Sequence, residues 1–341
     1  MKRSMSGTGS PIVIYIKSFV YLLFISLLII SCNGDGKKSS QEAESKKVVN
    51  VPNFNADSAY HFVSKQVEFG PRVPGSEAHE ATKQYLIGTF EKYGAQVKPQ
   101  EFTSTTFDNQ QVSLTNIMAS FNPKASKRIL LAAHWDARPF ADKDSVRKYE
   151  PIDAANDGAS GVGVLLEVAR VLHNSSLPEV GIDILLFDGE DWGETQGADV
   201  PTPQGLDSWW CLGSQYWSKN KGNYSAYYGI LLDMVGGKNA KFYIEGMSKY
   251  YASSIVDKVW NKGIELGFSN YFIKQPGGQT TDDHVFVNEY AKIPMIDIIA
   301  FDPKDGGFGN FHHTHQDNMS IISKETLSAV GKTLLHVIYY E

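Results

Sequence analysis

The sequence predicts an α/β fold: a single domain with a central, mostly parallel mixed β-sheet covered by helices on both faces. Three observations predict it. Residues 184–187, Ile-Leu-Leu-Phe, form an unbroken apolar run bounded by turn residues, the pattern of a strand buried on both faces. From Arg128 onward, strand-like runs alternate with helix-length segments through loops rich in Gly, Asn and Asp. No period of internal repeats is visible.

In chain order, residues 57–69 open with a capping acid and carry apolar residues at helical spacing (Ala59, Phe62, Val63, Val67). Phe69-Gly70-Pro71-Arg72-Val73-Pro74-Gly75 is a loop, and Ser76 or Glu77 starts a second helix that runs to Gly94. Residues 97–107 and 112–121 read as strands, and 129–133 as a strand that delivers His134-Trp135-Asp136. A helix over 158–172 follows Asn156-Asp157, and the central strand spans 182–187. Further helices are expected over 209–219, 248–266 and 324–340, and further strands over 228–233 and 293–299. The helices before Arg128 pack onto the sheet in this reading and do not form a second domain.

The chain has 341 residues and a net charge of -6, which gives no electrostatic basis for a nucleic-acid partner. Basic Lys2, Arg3 and Lys17 precede an apolar stretch over 18–30, too short for a membrane span and suited to a signal peptide. Ile29-Ile30-Ser31-Cys32 resembles the lipobox of bacterial lipoproteins, which implies cleavage before Cys32 and membrane attachment through its lipidated thiol. The expected organisation is therefore a signal peptide over 1–31, a polar flexible tether over 32–52 and a catalytic domain over 53–341. That places the protein outside the cytoplasm, anchored in the bacterial cell envelope. Cys211 is the only other cysteine, so no intramolecular disulfide forms once Cys32 is lipidated. Its neighbours Trp209, Trp210 and Leu212 make it a buried small hydrophobe rather than a nucleophile.

Chemistry collects at the predicted strand ends. Glu190 and Asp191 follow the central strand, where open α/β sheets build their sites, although a solvated acid pair would read the same way. Asp157 is either a helix cap or a carboxylate facing that pair from an adjacent strand end. His312, His313 and His315 fall within four positions of a glycine-dotted loop, which suits metal binding or a solvated turn. Asp233 closes another strand, and Thr281-Asp282-Asp283-His284 adds a further acid and imidazole cluster.

With these marks, the chain from about Arg128 resembles the zinc aminopeptidase superfamily. The resemblance is carried by His134-x-Asp136, Asn156-Asp157-Gly158, Gly189-Glu190-Asp191, Leu232-Asp233-Met234, and His313-Thr314 with Asp317 beyond. Within that superfamily it is most similar to the animal-type zinc-dependent glutaminyl cyclases, which also occur as exported bacterial enzymes. Asp282 before Asp283-His284 carries this preference, because the peptidases usually have Ser there. The resemblance implies Asp157, Asp191 and His313 as zinc ligands, Glu190 as proton shuttle, and Asp233 and Asp282 as an acidic network hydrogen-bonded to it. The sequence departs from the animal enzymes in carrying Asp191 where they have Glu, and in an insertion over 193–207. That insertion leaves Trp192, Trp209 and Trp210 all open as the residue that stacks on substrate.

The implied reaction is cyclisation of N-terminal glutamine of peptides or proteins to pyroglutamate, with release of ammonia. One Zn2+ per chain and a monomer are expected. A two-zinc aminopeptidase is the alternative, because His134, Asp157, Asp191, Asp233 and His313 also cover its five ligand positions. A zinc-binding lipoprotein without catalysis would have no use for Glu190.

Overall fold

The computed structural model describes residues 49–304 and 306–341. The signal peptide, Cys32 and the tether up to residue 48 lie outside the described residues. Asn55 caps α1 (Ala56–Glu68), its side chain accepting the Ser58 N–H at 3.1 Å. Ser76 caps α2 (Glu77–Lys92) by accepting the His79 N–H at 3.1 Å. Strands β1 (Gln96–Thr105) and β2 (Gln111–Phe121) form an antiparallel pair. Then follow β3 (Arg128–His134), α3 (Ala159–Asn174), β4 (Gly181–Phe187), α4 (Leu212–Asn220) and β5 (Tyr228–Asp233). The chain continues through β6 (Phe242–Ile244), α5 (Gly246–Glu265) and β7 (Phe272–Pro276). It ends with α6 (Asp283–Phe286), which runs into a π turn over Val287–Ala291, then β8 (Met295–Ile299) and α7 (Lys324–Tyr339).

The main sheet has the order β1-β2-β4-β3-β5-β8. Its β4, β3, β5 and β8 are mutually parallel, and β2 joins β4 antiparallel. The mixed, mostly parallel sheet read from the sequence is the observed one. β6 and β7, a separate parallel pair, were not expected from the sequence.

Alternation along β3 shows how both faces are covered. Ile129, Leu131 and Ala133 pack into the larger core with Val162 and Leu165 of α3 and Leu334 of α7. Leu130 and Ala132 point the other way, into a core with Phe187, Trp217 of α4 and Val287. Each such buried aliphatic side chain contributes roughly 1.5–3 kcal/mol relative to exposure. Close packing then places the turn before α3 over the strand ends. Gly161 is needed there, because a Cβ would stand 2.4 Å from the Leu232 carbonyl oxygen. Among the described residues, no helix is long and apolar enough to cross a membrane.

Candidate active site

The carboxyl ends of β3, β4 and β5 deliver His134, Glu190-Asp191 and Asp233 to one edge of the sheet. Two buried acids set the turns that carry the reactive groups. Asp136 accepts the N–H of Glu190 on one oxygen and that of Asp191 on the other, both at 3.1 Å. Asp317 does the same for Asn156 at 2.7 Å and Asp157 at 2.9 Å. Arg72, from the early glycine-proline loop, donates to the carbonyls of Trp135, Asp153 and Ala154 at 3.2, 2.6 and 2.8 Å. It thereby ties the segment after β3 to the segment before α3.

Asp157 is not a helix cap: Gly158 occupies the N-cap of α3 without a side-chain bond. The Asp157 carboxylate turns into the site instead. Its Oδ1 lies 3.1 Å from His134 Nε2, and its Oδ2 lies 3.8 Å from His313 Nε2. That imidazole nitrogen is also 3.2 Å from Asp191 Oδ1. Asp157 Oδ2 and both Asp191 oxygens are buried without a hydrogen-bond partner. Unsatisfied buried carboxylate oxygens facing an imidazole nitrogen fit a bound cation. Two carboxylates and one imidazole make a zinc-type donor set that leaves a fourth position open.

Burial and clustered charge shift both the acids and the imidazoles of the site. Burial, reinforced by the nearby Asp157, raises the Asp191 carboxyl well above the usual range. Burial and the Arg138 guanidinium hold His313 down at about 3, so its imidazole is neutral and its nitrogen free to ligate. The neighbouring histidines separate. His315 Nδ1 turns to Asp144 at 2.9 Å, whereas His312 stays close, with Nε2 3.9 Å from Asp157 Oδ2. Ligand atoms of Asp157, His312 and His313 lie within 4.8 Å of one another, as do those of His134, Asp157 and Asp233. The second set shares Asp157 with the first. His134 Nε2 meets Asp233 Oδ1 at 3.3 Å.

A cavity of about 360 Å³ opens over these groups, lined by Asp157, Glu190, Asp233, Asp282, His313 and Trp210. Asp191 is 1% exposed and sits below it. The six residues singled out in the sequence are thus brought to one place. Burial raises the Glu190 carboxyl well above the usual range, and the charges of Asp282 and Asp191 raise it further against His134. Asp233 is pushed up to about 7, first by burial and then by Asp157 and Asp282 against its bond to His134. Asp282 acts on Glu190 and on Asp233 through its charge. Asp282 caps α6, its Oδ1 accepting the Asp283 N–H at 2.5 Å, and its carboxyl lies beside that of Asp297 and the His284 ring. It acts on Glu190 through proximity, with ligand atoms of Glu190, Cys211 and Asp282 within 4.8 Å of one another.

The tryptophans also separate. Trp192 and Trp209 are 8% and 5% exposed and belong to the core, whereas Trp210 borders the cavity. Trp210 lies nearly parallel to His313, with 5.7 Å between ring centroids, and the Arg138 guanidinium sits 4.6 Å over its ring. Arg138 is fully buried, pairs with Asp142 through two bonds of 2.8 and 3.0 Å, and donates to the Asp191 carbonyl at 3.0 Å. Trp210 needs Gly193 beneath it, since a Cβ there would lie 1.9 Å from the indole. Glu194 and Gln196, from the insertion, line the cavity rim. Arg138 and Asp142 carry no mark in the sequence, because they act through their own ion pair and through backbone and ring contacts rather than a ligand spacing.

The sequence model of peptidase family M28 matches residues 116–338. A Zn-dependent exopeptidase from Parabacteroides distasonis superposes with a TM-score of 0.82 at 49% identity, covering 85% of this chain and 99% of that one. A glutaminyl cyclase from Bacteroides thetaiotaomicron, bound to N-acetylhistamine, superposes with a TM-score of 0.82 at 48% identity, covering 86% and 100%. Aminopeptidase YwaD of Bacillus subtilis is 27% identical over 256 residues, 72% of this chain but only 47% of that protein. The chain therefore spans about half the length of that curated relative.

Proposed function

The chain belongs to peptidase family M28, and on that premise we propose that it is a glutaminyl-peptide cyclotransferase, converting N-terminal glutamine to pyroglutamate and ammonia. The observation that carries this reading is Asp282 in the cavity beside Glu190. Two close carboxyls cannot both ionise cheaply in a buried site, so Glu190 gains proton affinity. A shuttle for an amine and a departing ammonia needs that affinity.

In this reading Asp157, Asp191 and His313 would hold one zinc ion. Bound there, zinc supplies a Lewis acid for the γ-carbonyl of the substrate glutamine. The substrate α-amine attacks the carbonyl carbon (Cδ) of the side-chain amide, forming the ring C–N bond. Glu190 takes a proton from that amine and returns it to the γ-amide nitrogen, and the C–NH2 bond breaks to release ammonia. Such proton transfer is typically worth ~10²–10⁴-fold. Asp233 and Asp282, which line the same cavity, hold the amine, and Trp210 offers a face for the substrate's backbone. No water is consumed, so a cavity lined on several sides suits the reaction.

The decisive experiment follows the mass of Gln-initiated and Leu-initiated peptides with the zinc-loaded protein. Loss of one ammonia from the first supports the proposal. Loss of the whole first residue from the second refutes it and favours a two-zinc aminopeptidase. That rival has its own support in the His134, Asp157 and Asp233 grouping. We further propose a monomeric catalytic unit over 53–341, exported and tethered through a lipidated Cys32, on the strength of the lipobox pattern. Labelled palmitate should enter the wild-type chain and not Cys32→Ser; equal labelling would refute the anchor.

A further inference from the structure

Cys211 was expected to be an inert core residue, and it is fully buried. Its surroundings give it a second role. The thiol donates to Glu190 Oε1 at 3.2 Å, and its own backbone N–H donates to the Glu190 carbonyl at 2.9 Å. The next residue, Leu212, donates its N–H to the Gly189 carbonyl at 3.0 Å. Glu190 lines the cavity and Cys211 does not, so the thiol meets the carboxyl from the protein side. The backbone at Cys211 is left-handed, with φ 59° and ψ 37°, at the N-cap of α4. Glycine would take this conformation without strain, and the cysteine side chain makes no capping bond that would explain its presence. Burial, with Glu190 next, raises the thiol well above its ordinary range, so it stays protonated and able to donate.

We propose that Cys211 is a positioning residue for Glu190, its thiol fixing one carboxyl oxygen so that the carboxyl meets the substrate amine in a single orientation. The inference rests on the role of Glu190 proposed above. A thiol suits the task because it is a weak donor. It orients the carboxyl through a single contact at Oε1. A hydroxyl would orient it as well and bind the anion harder.

The test compares Cys211→Ala, Cys211→Ser and Cys211→Gly in the full chain, alone and combined with Glu190→Gln. Turnover of a Gln-initiated peptide, zinc content and melting temperature are measured for each. Cys211→Ala should lose about 10-fold in kcat, with KM and zinc content unchanged, as expected when an oriented proton-transfer group loosens. Cys211→Ser should recover most of that loss. Cys211→Gly should melt at or above the wild-type temperature and still turn over as slowly as Cys211→Ala, which a purely structural role would not produce. In the Glu190→Gln background, Cys211→Ala should cause no further loss. Wild-type kcat in Cys211→Gly, an equal loss in both backgrounds, or loss of zinc or folding in Cys211→Gly would each overturn the proposal. Full activity in Glu190→Gln would instead remove the role of Glu190 itself. Release of the whole first residue would refute cyclisation alone and leave the Cys211 comparison to be read on that reaction.

Discussion

Asp317 accepts the backbone N–H of Asp157 at 2.9 Å, so an acid near the end of the chain sets the direction in which an acid before α3 presents its carboxylate. Supporting groups of this kind typically change metal affinity by ~10–100-fold when removed. Asp317→Ala should therefore weaken zinc binding by about that factor, measured by competition with a chromophoric chelator. An unchanged zinc Kd would show that Asp157 holds its place unaided.

The three histidines of the same loop should behave differently. His313→Ala is expected to lose zinc and activity together, because its Nε2 faces both Asp157 and Asp191. His315→Ala should keep both, since His315 is engaged by Asp144. Elemental analysis decides, and full zinc occupancy in His313→Ala would move the ligand to His312, the other imidazole near Asp157.

Metal stoichiometry is expected at about one zinc per chain at full activity, the pattern of three protein ligands with an open position. Asp233 faces His134 at 3.3 Å, and in the one-zinc reading it holds the substrate amine rather than a second metal. Titrating the apoprotein with zinc while following ammonia release checks this. Activity that appears only with a second equivalent would contradict it.

Acid stability should depend on Glu245. Burial acts against its ionisation, but His284 at 3.1 Å and the N–H groups of Met247 and Ser248 outweigh it and bring the carboxyl down to about 2. A depressed carboxyl stabilises the fold fully above its unfolded value of 4.5 and loses that contribution as pH falls towards 2. Glu245→Gln should lower stability at neutral pH by on the order of 2 kcal/mol and flatten the decline between about pH 5 and 2. Parallel denaturant curves for both proteins over that range would argue against it.

Substrate affinity should depend on the pairing of Gly193 with Trp210. Gly193→Ala displaces the indole, so KM should rise several-fold, as for Trp210→Ala, with zinc content unchanged. Wild-type KM in both variants would remove Trp210 from the substrate's path.

What could be read from the sequence follows from what each residue touches. β4 was legible because both its faces are buried and its apolar run is unbroken. β6 and β7 span three and five residues, with Lys241 just before the first and Lys274 at the centre of the second, too short for a period of two to show. The reactive acids were legible because they follow strand ends and match a known spacing. Trp210 could not be chosen from three tryptophans, since only the insertion's path and Gly193 settle which ring reaches the cavity. Asp136 appeared only as part of a motif, because its work is to accept backbone N–H groups, which no spacing of side chains announces. Cys211 looked like core, and its neighbours are core; the left-handed turn that aims its thiol has no sequence mark.

The buried oxygens of Asp157 and Asp191 that lack hydrogen bonds have a thermodynamic consequence for the whole chain. A cation bound there binds the folded state and not the unfolded one, so occupancy and folding are linked. At a free zinc concentration one hundred times the Kd, the folded state gains about 2.7 kcal/mol. The amount of folded protein, and not its turnover alone, then follows the supply of zinc.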